Sequence, residues 1–130
     1  MTQFIPDTNT FLRLLLKDVP SQYEEAKKLF TCAKEGKVKL LVPQIVVFEI
    51  VFSLEKYYKF SKAEVIDKLQ AILSAPYFEI QDQDIFRSSL ELYKLRNISF
   101  VDCFLIAEAQ SLEAKIFTFD QNLNKVLKGF

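Results

Sequence analysis

Apolar and polar residues fall along this chain in blocks that predict strand and helix in turn. Phe4 and Ile5 form a short apolar run that ends in the polar Asp7-Thr8-Asn9-Thr10. Phe11, Leu12, Leu14, Leu15 and Leu16 follow at once, the order expected of a buried parallel strand feeding a helix. Pro20 and Ser21 open a second helix running to about Glu35, with Ala26, Leu29, Phe30 and Ala33 as its buried stripe, and Gly36 stops it. Lys37 to Val42 reads as the second strand, and Pro43 sits at the start of a third helix reaching about Tyr58. Ser61 caps a fourth helix, in which Val65, Ile66, Leu69, Ile72 and Leu73 recur at helical spacing, and Pro76 ends it. Tyr77 to Ile80 is a short third strand. Asp82 or Asp84 begins a fifth helix through Leu90, Tyr93 and Leu95, and Ser99 starts a sixth to about Glu113. Lys115 to Phe119 reads as the fourth strand, and Asp120 heads a last short helical turn.

Such alternation, with no hairpin signal between strands, predicts an α/β fold: a single three-layer domain over residues 1–130, its parallel sheet of about four or five strands flanked by helices. Composition agrees. With 50% hydrophobic residues, 2 Gly and 4 Pro, the chain lacks the marks of disorder or of a flexible linker. Cys32 and Cys103 lie within helix-like apolar patterns, which suits inert buried thiols better than a disulfide. No basic segment with a following apolar stretch opens the chain, and no apolar run approaches a membrane span, so the expectation is a soluble cytoplasmic protein.

Charge narrows the chemistry more than it identifies a partner. Lys and Arg (17) balance Asp and Glu (17), so only local patches can grip a nucleic acid. The absence of histidine (His 0) excludes histidine-based triads, histidine proton shuttles and the usual catalytic zinc sites. Acid and base chemistry falls to carboxylates, lysines or a metal.

Four acids stand out. Asp7 and Asp120 sit where a strand becomes a helix, the place where ligands bind in open α/β sheets; each would also serve as an ordinary helix N-cap. Glu49 has apolar neighbours throughout Ile45 to Leu54 and no Lys or Arg within one helical turn, so a buried carboxylate there must be paired, protonated or bound to a cation. Asp102 projects from the first turn of the sixth helix within Phe100 to Ala107, although Ser99 and Asp102 also have the S-x-x-D spacing of a capping box. The fold can bring all four to one edge of the sheet. Carboxylates so placed repel unless a divalent cation neutralises them, and an all-oxygen set without His or Cys suits Mg²⁺ or Mn²⁺.

Ile5-Pro6-Asp7-Thr8-Asn9, the Pro43 to Glu49 segment, Ser99-Phe100-Val101-Asp102 with Ile106-Ala107, and Thr118-Phe119-Asp120 together resemble the PIN-domain family of metal-dependent ribonucleases, and more closely its VapC-type toxins. The resemblance implies a Mg²⁺ site and endonucleolytic cleavage of RNA, with a cognate antitoxin as partner. It assigns Asp7, Glu49, Asp102 and Asp120 as the acidic catalytic and metal-binding residues, and Asn9 and Thr118 as supporting polar residues. Arg13, Arg96, Lys56, Lys59 and Lys62 are candidates for holding flanking phosphates, as against ordinary solvated charges.

A phosphatase of the haloacid-dehalogenase type also begins with a strand and an Asp, but its D-x-D-x-T pattern wants an acid where Asn9 stands. A non-catalytic PIN-like or receiver-like interaction module remains the other reading. The apolar third helix, in a chain with Phe 13 and Tyr 5, further predicts a homodimer and a hydrophobic groove for a partner peptide.

Overall fold

The computed structural model describes every residue from Met1 to Phe130. The chain divides into two compact units, Met1–Gln83 and Asp84–Phe130. The first contains β1 (Gln3–Phe4), α1 (Thr8–Leu16), α2 (Pro20–Lys34), β2 (Lys39–Val42), α3 (Gln44–Lys56), α4 (Lys62–Ser74) and β3 (Phe78–Ile80). Its strands form an open parallel sheet in the order β1-β2-β3, with Phe4 opposite Leu40 and Leu40 opposite Phe78. Parallel neighbours need crossover connections, and the helices between the strands supply them. The α/β class with a flanked parallel sheet is therefore the observed one.

The first unit's core grows from alternation in the strands and stripes in the helices. Leu40 and Val42 of β2 are buried, as are Val47, Ile50 and Leu54 of α3 and Val65 and Leu69 of α4. Phe11 of α1, Phe30 of α2 and Phe78 of β3 meet in a mutual cluster, with ring centroids 5.4, 5.5 and 5.5 Å apart. This trio seats the α1–α2 pair on the sheet and so fixes the strand-to-helix turn at Asp7. At α4, Ser61 and Glu64 complete a reciprocal capping box that starts the helix where its serine predicts.

The second unit holds α5 (Gln83–Leu95, which begins at the last residue of the first unit), α6 (Phe100–Leu112) and α7 (Gln121–Leu127). Its core is aromatic. Phe86 lies 6.2 Å from Phe100 and 4.9 Å from Phe104, and Tyr93 meets Phe100 edge to face at 5.6 Å. The buried Ser89 hydroxyl donates to the Ile85 carbonyl at 2.6 Å, which removes the cost of an unsatisfied polar atom. Cys32 and Cys103 are both free thiols. No helix is long and apolar enough to cross a membrane.

The strand expected at Lys115 to Phe119 does not form, and the sheet has three strands rather than four or five. Period-two alternation does put Phe117 and Phe119 on one side, where their rings touch edge to face at 5.4 Å. They are nevertheless 87% and 89% exposed. Alternation marks a strand only where a neighbour supplies backbone partners, and this segment pairs with none.

Two helices end on a left-handed residue that is not glycine. Lys17 after α1 and Glu113 after α6 both adopt the left-handed conformation, at φ 54° and 54°, which L-residues enter at a cost that glycine avoids. Glu113 also places an acid at the negative end of a helix. Glu113→Gly should therefore stabilise the protein by about 1 kcal/mol, raising the melting temperature by about 3 °C. A lowered melting temperature in calorimetry would show that the Glu113 side chain does something useful there.

Candidate functional site

The turn from β1 into α1 holds a capping carboxylate with one oxygen to spare. Asp7 has extended backbone (φ −79°, ψ 174°) and caps α1. One of its oxygens, Oδ1, accepts both the Thr10 amide at 2.9 Å and the Thr10 hydroxyl at 2.8 Å. The backbone bond, and then the hydroxyl bond, hold the Asp7 carboxyl below the usual carboxylate range, against a small opposing effect of burial. Asp7 is exposed, and Oδ2 is left clear. Capping thus consumes half of the carboxylate and favours its charged form.

Glu49 is joined to the same turn. The Thr8 hydroxyl donates to Glu49 Oε2 at 3.0 Å, tying the first residue of α1 to the middle of α3. The expectation of a buried Glu49 is overturned, because its side chain lies on the exposed face of α3. Ile45, Glu49, Phe52 and Lys56 form an outward stripe at spacings of four, three and four, while Val46, Val47, Ile50, Val51 and Leu54 face inward. The stripe is invisible as such in the sequence because Ile45 and Phe52, 65% and 54% exposed, are themselves apolar.

In the second unit, the Ser99 hydroxyl accepts the Asp102 amide at 3.1 Å and caps α6. Ser61 and Glu64 close both halves of their box, whereas the Asp102 carboxylate makes no return bond and is not spent on capping. Asp120 caps α7, with Oδ1 accepting the Leu123 amide at 2.8 Å. The Asp120 amide donates to the Thr118 hydroxyl at 3.0 Å and Asn124 donates to the Thr118 carbonyl at 3.0 Å, so Thr118 pins the approach to Asp120.

These turns fall within a stretch that the family model for the PIN domain matches almost end to end, over residues 4–128. The chain belongs to the PIN domain family. It is similar to a VapC ribonuclease of Aquifex aeolicus (strain VF5), 26% identical over 121 residues that cover 92% of this chain and 89% of that protein.

Against this PIN-domain background the donor chemistry can be tested for a divalent cation. Asp7, Glu49 and Asp120 each give one oxygen to a hydroxyl or amide and keep the other clear, and Asp102 keeps both. Free carboxylate oxygens of this kind, with no nitrogen or sulfur donor among them, are the chemistry that Mg²⁺ or Mn²⁺ prefers. Nowhere, however, are three or more His, Cys, Asp or Glu side chains gathered closely enough to enclose an ion. What the structure does bring together is the Asp7-Thr8 turn and Glu49, through the Thr8 hydroxyl.

The cationic candidates occupy different settings. Arg13 donates from Nη1 to both oxygens of Asp18, each at 2.8 Å, and from Nη2 to the Tyr58 hydroxyl at 3.2 Å; those bonds, Tyr58 first, strengthen its hold on its proton. Arg96 lies over the ring of Phe130, 5.0 Å from its centroid. Lys56, Lys59 and Lys62 are all exposed around the turn between α3 and α4. Sequence reasoning passed over Thr8 and Thr10, the two hydroxyls that orient Glu49 and Asp7. Their signal was present, since Thr10 stands three residues after Asp7, the distance from an N-cap to the amide it receives.

Proposed function

We propose that this PIN-domain protein is a Mg²⁺- or Mn²⁺-dependent endoribonuclease that hydrolyses RNA phosphodiester bonds, and the toxin of a toxin–antitoxin pair. The observation that carries it is the divided use of Asp7: Thr10 takes Oδ1, and Oδ2 stays free on a residue that the sequence resemblance assigns as an acid of the site. Similarity to a VapC ribonuclease supports RNA as substrate and an antitoxin as partner. The free thiols of Cys32 and Cys103 suit a cytoplasmic setting.

The resemblance to the family assigns the ion to Asp7 and Asp102 first, with Glu49 and Asp120 as its other acids. When bound, the ion supplies charge stabilisation at the phosphoryl oxygens and lowers the pKa of an attacking water. The protein's part is orientation and proton handling. Thr10 locks the Asp7 carboxylate in one rotamer, and Thr8 holds Glu49 Oε2 so that Oε1 is presented to accept a proton from the water. Thr118 fixes the backbone at Asp120, and Asn9 stands beside Asp7 as a neutral hydrogen-bonding group. Lys56, Lys59 and Lys62 hold flanking phosphates, and Arg96 is a further candidate for that role.

Incubation of end-labelled single-stranded RNA with the purified chain tests this reading. Internal cuts should accumulate with Mg²⁺ or Mn²⁺ and stop in EDTA. Intact RNA under both conditions would favour a non-catalytic interaction module. Because a ligand of the folded state stabilises by mass action, the melting temperature should also climb with the logarithm of Mn²⁺ concentration above its dissociation constant. A melting temperature indifferent to millimolar Mn²⁺ would remove the metal from the mechanism.

The exposed stripe of α3 supports a homodimer. Ile45 and Phe52, with Phe52 meeting Tyr57 edge to face at 6.3 Å, put exposed apolar side chains on this helix to either side of Glu49. Light scattering at micromolar concentration should return twice the mass of the chain, and Phe52→Glu should return the monomer. A monomeric mass for the unsubstituted protein rules the dimer out.

A further inference from the structure

Beside Asp7 lies a cleft of about 400 Å³ whose walls come from two helices of the first unit. Asn9, Thr10 and Arg13 of α1 form one side. Gln22, Glu25, Ala26 and Leu29 recur at helical spacing and bring one face of α2 to the other. Buried Ala26 and half-buried Leu29 give it an apolar floor, while the side chains of Asn9, Gln22 and Glu25 make no hydrogen bond within the chain and keep their full bonding capacity.

Charge and size restrict what fits. The Arg13 guanidinium is committed to Asp18 through paired 2.8 Å bonds, so Asp7 and Glu25 set the sign of the cleft and a phosphate is repelled from it. A neutral group rich in N–H donors is attracted instead. The volume suits one planar ring, and single-stranded RNA is read by splaying a base into a pocket and bonding its Watson–Crick edge.

We infer that this cleft is a nucleobase subsite that seats a guanine of single-stranded RNA next to the cleaved phosphodiester, with Glu25 as the residue that reads it; the inference rests on the nuclease reading above. Guanine alone among the four bases carries two adjacent donors, N1–H and the N2 amino group, on its Watson–Crick edge. A carboxylate accepts both at once. The free amides of Asn9 and Gln22 supply a donor for guanine O6, and Leu29 and Ala26 cover the ring face.

The test reads binding and cleavage separately. Fluorescein-labelled oligouridine containing one guanosine, inosine or adenosine is titrated with the full chain in EDTA and followed by anisotropy. Inosine lacks only the N2 amino group, so the guanosine oligonucleotide should bind about tenfold more tightly than either of the others. Glu25→Gln presents one acceptor and one donor, which matches adenine, and should abolish the discrimination against inosine and shift preference to adenosine. Glu25 is exposed, so the variant should melt with the unsubstituted protein. In Mg²⁺, sequencing of fragment ends should show guanosine enriched at one fixed distance from the cut, and Glu25→Gln should move that enrichment to adenosine. Equal binding of the three oligonucleotides, or a Glu25→Gln protein that still prefers guanosine, overturns the subsite whether or not RNA is cut. Guanosine preference without any cleavage removes the nuclease reading and leaves the subsite standing.

Discussion

Asp7→Asn should abolish RNA cleavage while leaving the fold in place. Asparagine keeps a carbonyl oxygen where Asp7 Oδ1 receives the Thr10 amide and hydroxyl, and Asn and Asp are near equals as N-caps, so the stability change should stay within about 0.5 kcal/mol. Loss of the second anionic oxygen is another matter. A divalent cation loses a charged ligand, and the cleavage rate should drop by at least about 100-fold, the scale on which a single charge-stabilising group is felt. Asp7→Ala separates the two roles from the other side: it removes the cap as well, at about 1 kcal/mol, and should melt lower than Asp7→Asn with no further loss of activity. Initial rates on labelled RNA and melting curves of the three proteins decide it. Full cleavage by Asp7→Asn would sink the assignment.

Most of the architecture was legible because local signals and packing agree. Ser61, Ser99 and Asp120 cap the helices they were expected to open, and Phe11, Phe30 and Leu69 lie in the core that their spacing predicts. Helix boundaries shifted by a residue or two where fraying and turn geometry decide; Pro43, for instance, is the N-cap of α3 rather than its first residue. Lys115 to Phe119 failed for a different reason. Strand formation is a property of a pair, and one chain segment can advertise alternation without revealing whether a partner will accept its hydrogen bonds.

The site was less legible than the fold, and Glu49 shows why. Its apolar sequence neighbours suggested an enclosed charge, but a helix has an outside even when apolar residues occupy it, and Glu49 lies there between Ile45 and Phe52. Periodicity cannot separate inward from outward positions once both are hydrophobic. At Asp102 the S-x-x-D spacing left two explanations, capping or chemistry, and the geometry splits them: Ser99 does the capping and the Asp102 carboxylate does none. Gln22 and Glu25 gave no signal at all. Their meaning comes from facing α1 across a cleft, a tertiary relation that a surface position on one amphipathic helix does not encode.

Phe11→Ala should be among the most damaging single changes in the first unit, costing about 3–5 kcal/mol. Phe11 is fully buried, and its ring contacts both Phe30 and Phe78, so truncation leaves a cavity at the junction of α1, α2 and β3 that neither rigid ring can fill. Against a typical total stability of about 5–15 kcal/mol, that loss moves the urea midpoint far toward zero. The exposed pair gives the contrast, since Phe117→Ala and Phe119→Ala remove aromatic rings of equal size yet should each cost about 0.5 kcal/mol or less. Activity should follow the core and not the ring count. The Phe11 amide also points to the Asp7 carbonyl, at 3.4 Å, so the residue that anchors α1 in the core also closes the first turn of the helix that presents Asp7. In the folded fraction that remains at low temperature, Phe11→Ala should therefore cleave RNA more slowly per folded molecule than either surface variant. A urea midpoint close to that of the unsubstituted protein would mean that the aromatic trio does not set the position of α1.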